Sequence, residues 1–565
     1  MKGRTDMSTQ ISRRTLLRTA VTVAGAAAMA PLLSACGSGG AAKSGTNSKT
    51  GLAAVLPTYV ANTTVKADIP SVTGPGGASS DPGFLTYPAN PVTTVAKKPG
   101  SGGTYTTVTP LWGAIPSADN AFYKAVNAAL GATLTMQPAN GTTYNTSIPT
   151  MAAAKKLPDW IQLPTWWNQL FNVGELVGTQ LADLTPYLAG DKVKDYPNLA
   201  ALPTGAWQAG VWGDKLFGIP SFSSGTAFAG TFYYRQDVFE AKGIAADSVK
   251  SAADLMNLGK ELTSESAGVW AFDDVWTYLA QPFGISQLFT AKDGKLTHKY
   301  DQPEFVEALD WAWKLAKAGY IHPDALAGNN NDAKARFYAG KVLITGDGTG
   351  AWNLADAQAG QAANPSYRRG ALPLFSADGT SKPSIFLGPS TSMVSYLNAR
   401  LKPEQIKELL SIANYLAAPW GSAEYTLINY GVEGTDHTRV NGTPTFTPDG
   451  QKNVQPQTYP FLATSPGVVS NPGFDQVTKD ICAWNTAAVQ FAYKPVFWNM
   501  NVTVPQRFST ASGAQALEDT IKDVYHGLKT VSDYQTALTS WKRSGGDELT
   551  AWYQTEVYDK HGSGQ

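Results

Sequence analysis

Residues 103–109 (Gly-Thr-Tyr-Thr-Thr-Val-Thr) alternate small polar and larger β-branched or aromatic side chains, the period-two pattern of a strand. Residues 121–130 then space their apolar positions three and four apart, which predicts an amphipathic helix. A second strand over 132–136, a helix over 144–155 and a third strand over 158–163 continue the alternation. Strands alternating with helices predict βαβ units and a mostly parallel sheet. Residues 216–220 and the aromatic run 228–234 read as further strands, and Gln236-Asp237-Val238-Phe239 opens a helix. Helices are expected over 252–261 and 304–318. In the longer one Phe305, Leu309, Ala312, Trp313 and Ala316 form one stripe, bounded by Asp301 and Pro303 at the start and Gly319 at the end. Residues 341–345 form a buried strand, and Asp293-Gly294, Asp378-Gly379 and Asp449-Gly450 are expected hairpin turns. Helices over 514–527, 531–543 and 548–561 close the chain.

The N-terminal end has a different pattern. Ser12-Arg13-Arg14-Thr15-Leu16-Leu17-Arg18 leads into an uncharged stretch, 19–33, that ends at Leu33-Ser34-Ala35-Cys36. Its apolar part runs about 15 residues, short of the ~20 that span a bilayer, so it reads as an export signal. The paired arginines resemble a twin-arginine signal, and Leu-Ser-Ala-Cys resembles a bacterial lipobox. That resemblance implies removal of residues 1–35, lipidation of Cys36 and an extracytoplasmic protein anchored to the cell membrane. Residues 36–103, rich in Gly, Ser, Thr and Pro, are the expected tether. Their second half, from Leu56 and including Phe84 and Tyr87, is expected to lie against the body.

Composition narrows the classes. At 565 residues, with 43% apolar and 16% charged, the chain is globular and too long for one core. Five basic residues and one acidic residue leave with 1–35, taking the net charge from zero to −4. No clustered basic surface is implied, which excludes nucleic acid as a partner. With Cys36 reserved for lipid, Cys482 has no partner and reads as a small buried apolar residue. Sixteen Trp, 24 Tyr and 21 Phe exceed what a core needs and suit a ligand with flat C–H faces, as sugar rings offer.

The order of segments resembles the extracellular solute-binding proteins of carbohydrate ABC importers (family 1). Pro158-Asp159 before the third strand, Phe217-Gly218-Ile219-Pro220 running into Phe232-Tyr233-Tyr234-Arg235-Gln236-Asp237, and Phe337-Tyr338-Ala339-Gly340-Lys341-Val342 with Gly346 and Trp352 carry it. Asp293-Gly294-Lys295-Leu296, Asn429-Tyr430-Gly431-Val432-Glu433-Gly434 and Trp541-Lys542-Arg543-Ser544-Gly545-Gly546 are similar to the alginate-oligosaccharide-binding subgroup. The resemblance spans about residues 104–560. It implies an α/β, two-lobe periplasmic-binding-protein-like fold (type II) with hinge crossings and a C-terminal helical segment. Lobe 1 is expected at 104–222 with about 389–430, and lobe 2 at 223–388 with about 431–565. Crossings are expected near 221–227, 388–392 and 430–434. Calcium-carrying relatives have an EF-hand-like loop near 260–270, and Leu262 to Trp270 here offers too few oxygen ligands. The five His show no metal spacing, so no metal or other cofactor is expected.

Ligand sites in open α/β sheets lie beyond strand C-termini. Trp112 follows the first strand and can stack on a sugar, or pack the strand end. Asp119 can bind a hydroxyl or cap the next helix. Trp166 and Trp167 follow the third strand, and two adjacent indoles on a loop cannot both enter one core. Ser221 and Phe222 stand at the first crossing, Glu433 at the third, and Trp498 and Asn499 after an apolar run. Trp276 is a ligand candidate that can face the cleft from the second lobe, and the Asp273-Asp274 pair before it suits a cap or solvated face better than catalysis. Gly346-Asp347-Gly348-Thr349-Gly350 lacks the full dinucleotide and P-loop patterns, so Asp347 and Trp352 are read as ligand candidates on a close-approach turn. The resulting expectation is a monomeric, lipid-anchored receptor, not an enzyme, that captures a carbohydrate and delivers it to ABC permease subunits. A secreted glycan-active enzyme and a surface adhesin on the same fold are the rivals.

Overall fold

The computed structural model describes residues 47–168, 173–225, 227–228 and 230–563. The export signal and Cys36 lie outside them. Nine strands build the two principal sheets: β1 (Thr104–Val108), β2 (Thr133–Met136), β3 (Trp160–Pro164), β4 (Gly218–Ser221), β5 (Thr231–Arg235), β6 (Trp270–Phe272), β7 (Val342–Asp347), β8 (Arg369–Ala371) and β9 (Met393–Leu397). The first sheet has the order β2-β1-β3-β9-β4 and the second the order β6-β7-β5-β8.

Both sheets are mixed, which corrects the expectation of a mostly parallel one. β1 is parallel to β2 and β3, but β9 is antiparallel to β3 and β4. Likewise β7 is parallel to β6, whereas β5 is antiparallel to β7 and β8. The reason is topological. β9 returns to the first sheet after some 170 residues spent elsewhere, and β5 opens the second sheet straight from a crossing, so neither belongs to a βαβ unit.

Each sheet is covered on both faces. Trp160 packs into one core with Leu134 and the helix Ala121–Leu130, while its neighbour Ile161 points to the other face with Tyr144 and Leu163. The helix has the predicted bounds. Asn120 caps it by accepting from Tyr123 N, and Gly131 ends it at φ 67°. In the second sheet Phe232 and Ile344 pack into one core and Tyr233, on the opposite face, into another.

Three segments carry the chain between the lobes: 222–228, 387–391 and 464–469. They are bonded to one another through Ser224 N to Ser390 O (3.0 Å), Gly388 N to Ala227 O (2.6 Å) and Gly467 N to Ser223 O (2.7 Å). The third differs from its expected place at 430–434. Val454, Tyr459, Leu462 and Ala463 still belong to the first lobe's core, so the chain leaves that lobe about thirty residues later. The Tyr430 region instead leads into a hairpin, His437–Val440 with Thr443–Phe446, turned at Asn441 (φ 52°) and Gly442 (φ 81°).

Other local expectations differ too. Asp293-Gly294 does turn a hairpin. Asp378, however, closes a loop by accepting from Thr380 N and Ser381 N, and Asp449-Gly450 starts the helix Pro448–Asn453 capped by Thr447. The helices Pro403–Leu416 and Asp475–Ala488 carry cores that the pattern did not mark. Among the described residues of the expected tether, docking begins earlier than Leu56, since the helix Lys49–Val55 already packs Leu52 and Val55 on the body, as Phe84 and Tyr87 do later. Cys482 is buried, and burial pushes its thiol up to about 11, away from nucleophile chemistry.

The second lobe buries an ion pair. Arg336 holds Asp273 through two hydrogen bonds (2.8 and 3.1 Å), both side chains being almost wholly enclosed. Asp273→Ala strands the guanidinium without its carboxylate and is expected to cost about 3–5 kcal/mol. Scanning calorimetry checks this, and an unchanged melting profile would refute it.

Candidate functional site

Aromatic rings gather where the first sheet's strands end. Trp112, just beyond β1, is 48% exposed, and Trp166, just beyond β3, is 50% exposed. Their ring centroids lie 6.0 Å apart. Trp167 turns inward, 5% exposed, and stacks on Tyr144 at 5.4 Å. Tyr144 in turn donates its hydroxyl to Gln162 O, so the outer pair rests on an anchored inner pair. The adjacent tryptophans thus divide as their spacing required, one to the core and one to solvent. Gly141 makes room for Trp112, since a Cβ there would come within 2.5 Å of the indole.

Phe222 extends this surface at the end of β4. It is 39% exposed, sits at φ 50°, and meets Phe461 edge-on at 5.2 Å, while Phe461 lies 6.2 Å from Trp112. The row Trp166, Trp112, Phe461, Phe222 therefore runs from a strand end to the first crossing. Phe461 was not legible in the sequence, because it arrives from 240 residues away in an aperiodic Tyr-Pro-Phe-Leu stretch.

Beside Trp166 a cavity of about 470 Å³ opens between the lobes. Thr165, Trp166, Asn168 and Ala209 line it from the first lobe, Gln287 and Leu288 from the second, and Pro389 and Thr391 from a crossing. The segment 496–502 forms its remaining wall together with Tyr553. None of its described lining residues is charged. Among the described residues, no three His, Cys, Asp or Glu are grouped as a metal ion would need.

The other candidates fall in several places. Trp498 and Asn499 line this cavity, but their polar groups are engaged. The indole donates to Gly388 O (2.8 Å), and the Asn499 amide donates to Gly205 O (2.8 Å) and accepts from Ser390 N (3.2 Å). Ser221 is fully buried beneath Phe222. Asp119 is exposed and pairs with Lys124 at 2.7 Å, and the capping role falls to Asn120. Glu433 is exposed and pairs with Arg439, away from any crossing.

The second lobe's candidates do not join the aromatic row. Trp276 stacks on Tyr525 at 5.1 Å and meets Phe305 edge-on, packed against that lobe's core. Trp352 is buried against Tyr233. Asp347 ends β7 and pairs with Arg369 at 3.0 Å, while Arg369 holds Asp356 at 2.6 Å. Burial works against the Arg369 charge, but Asp356 and the surrounding rings outweigh it and raise its pKa. Tyr278 packs against Gly230 and Gly346, and burial and then Asp347 raise its pKa.

Residues 113–423, more than half of the chain, match the bacterial extracellular solute-binding protein family. The chain belongs to that family. No curated protein matches it. Among solved structures, a calcium-free alginate-binding protein superposes with TM-score 0.54 at 14% identity, over 83% of this chain and 100% of that one. The N-glycan transport solute-binding protein of Streptococcus pneumoniae gives 0.57 at 14%, over 82% and 99%. An extracellular solute-binding protein of Bifidobacterium longum subsp. infantis gives 0.59 at 13%, over 82% and 99%. At these identities the likeness speaks for the fold alone.

Segment 496–502 also ties the lobes together. Phe497 (φ 64°) packs on Phe289 and Tyr553 on the second-lobe side, while Asn501 donates to Ala209 O (3.0 Å) and Val211 O (2.9 Å) of the first lobe. Asn168 of the cavity wall donates to Asn501 at 3.0 Å. Opening the lobes has to break these bonds. Asn501→Ala removes the side-chain donor to Ala209 O, at about 1–3 kcal/mol where that carbonyl stays buried, while Val211 O keeps its bond from Asn47 (2.8 Å). It is therefore expected to enlarge the radius of gyration in small-angle scattering, and an unchanged profile would exclude the tie.

Proposed function

We propose that the protein is a lipid-anchored extracytoplasmic receptor. It captures a neutral oligosaccharide or glycoside between its lobes and presents it to the permease of an ABC importer. The observation that carries this reading is the uncharged interlobe cavity of about 470 Å³ beside a row of solvent-facing rings. Exposed aromatic surface costs free energy and is kept where a ligand covers it. Indole and phenyl faces suit the C–H faces of pyranose rings, while Asn168, Gln287 and Thr391 supply neutral hydrogen bonding for hydroxyls. Without a charge in the lining, a polyuronate has no partner there. The structural neighbours, which include alginate-binding and N-glycan transport proteins, agree with the carbohydrate class.

Capture needs no bond-making. A ligand that touches both lobes binds the closed state better than the open one and shifts the population toward it. The closed form is then the one that the permease reads.

Thermal-shift and calorimetric titration against neutral and uronic-acid oligosaccharides tests the reading. A neutral sugar is expected to raise the melting temperature without forming product. Trp166→Ala is expected to weaken that binding at least about tenfold, or ~1.4 kcal/mol, with the fold intact. Product formation would point to a glycan-active enzyme, and silence across the panel to an adhesin.

Anchoring is checked separately. Cys36→Ala is expected to move the protein from the membrane fraction to the soluble one, since loss of acyl chains removes the hold. Retention on membranes would refute the lipid assignment.

A further inference from the structure

The N-terminal segment, residues 47–103, precedes the family match at residue 113, and the solved relatives are matched over 99–100% of their length by only 82–83% of this chain. It begins on the first lobe. The helix Lys49–Val55 buries Leu52 and Val55 there, and Thr58 N and Val60 N donate to Gly190 O and Ala200 O. It then reaches the second lobe. Ala78 is buried in the core that holds Tyr233 and Trp484, and a Cβ on Gly74 would stand 2.2 Å from Val489 O. Finally it returns. Phe84 stacks on Trp420 at 4.2 Å, and Thr94 N and Val95 N donate to Glu424, all on the first lobe.

Between those stretches it crosses the hinge itself. Ser79 N donates to Gly225 O (3.2 Å) on the first crossing, and Val469 N on the third crossing donates to Pro82 O (2.9 Å). Gly83–Phe84 pairs in parallel with Val469–Ser470. Asp81 enters between the two crossings. Its carboxylate accepts from Ser224 Oγ (2.8 and 3.1 Å) and Gly225 N (3.3 Å), and a Cβ on Gly467 would lie 3.4 Å from it.

We propose that residues 47–103 are a strap that sets the angle between the lobes, with the Asp81 carboxyl as its release at the hinge. Any motion of one lobe against the other has to slide or detach a segment anchored on the first lobe at both ends and on the second lobe in its middle. The strap acts whichever solute the cleft takes.

The surroundings of Asp81 make the contact depend on its proton. Neither crossing beside it carries a charged side chain between 221 and 228 or between 464 and 469. The helix Asp475–Ala488 presents the Cys482 thiol, which feels the Asp81 charge, and Tyr233 shares a cavity wall with it. On the strap's own side Lys66 shares the wall of a second cavity. Among the described residues no cation forms an ion pair with Asp81. Burial, opposed by the bonds from Ser224 and Gly225, pushes its carboxyl up to about 7. The undocked group titrates near 4, so docking is favoured while the proton is held and is lost progressively as pH rises toward about 7. Within that window each pH unit changes the docking equilibrium by up to about tenfold.

Single-molecule energy transfer between dyes on the two lobes tests this without any ligand. Dyes are attached through Lys124→Cys and Lys314→Cys, both at exposed positions, in the full chain with Cys36→Ser; buried Cys482 stays unlabelled. With the native strap, transfer efficiency is expected to change as pH rises, levelling off near about pH 7, and Asp81→Asn is expected to hold the acidic value throughout. Phe84→Ala, which loosens the strap away from the hinge, is expected to broaden the distribution at every pH. A flat profile with the native strap overturns the proposal with no appeal to any hinge variant. So does a profile that survives Asp81→Asn, and so does a distribution that Phe84→Ala leaves unchanged.

Discussion

The structure depends on three backbone segments that satisfy one another's hydrogen bonds in the middle of the molecule. Ser223, Ser224, Ala227, Gly388, Ser390 and Gly467 form a small irregular ribbon between the lobes. Buried amides and carbonyls cannot be left unpaired, so these crossings stay together whatever the lobes do. Relative motion is thereby confined to rotation about the ribbon, with dihedral change absorbed at its ends. Phe222, at φ 50° where β4 gives way to the first crossing, stands at such an end and also carries one of the exposed rings.

This constraint decides which strand ends can share a ligand. β1, β3 and β4 end on the side of the ribbon where Trp112, Trp166 and Phe222 emerge. The first lobe spends its aromatics twice, with Trp167 and Tyr144 as a buried base and Trp112 and Trp166 as the surface resting on it. In the second lobe, charges do structural work instead. Arg369 is shared between Asp347 and Asp356, and Arg336 holds Asp273, so the carboxylates nearest the strand ends there are already paired. Those pairs stay out of the cavity wall, whose second-lobe side is Gln287, Leu288, the segment 496–502 and Tyr553.

Much of the fold was legible because its local signals agree with its tertiary structure. The helix Ala121–Leu130 shows an apolar stripe, a capping Asn and a terminal Gly, and each is used as its chemistry suggests. Strand direction was not legible, because alternation is the same for parallel and antiparallel neighbours, and β9 pairs with β3 across about 230 residues. The third crossing was misplaced for a similar reason. Glycines near Tyr430 mark a turn, but only packing shows that the chain after it stays with the first lobe. At the site, adjacency of Trp166 and Trp167 carried real information, since two such rings cannot share one core. Trp276 and Trp352 carried less, because a tryptophan beyond a strand can equally roof its own lobe, as both do. Asn499 was legible as polar and close to the cleft. Its engagement with Gly205 and Ser390 was not, since nothing local names a partner almost three hundred residues away.

Two ties beyond the hinge join the lobes away from the aromatic row. The segment 496–502 reaches from the second-lobe side to first-lobe carbonyls, and the N-terminal strap runs from the first lobe to the second and back. Both bear on the same equilibrium from opposite sides. A ligand shifts such an equilibrium only by its difference in affinity between the two states. Because these ties already order the interface, a solute has only a small remaining difference to supply. The arrangement also explains why no charge is needed in the cavity wall. Closure beyond these ties is then left to uncharged rings and amides, which only a solute filling the cavity brings into play.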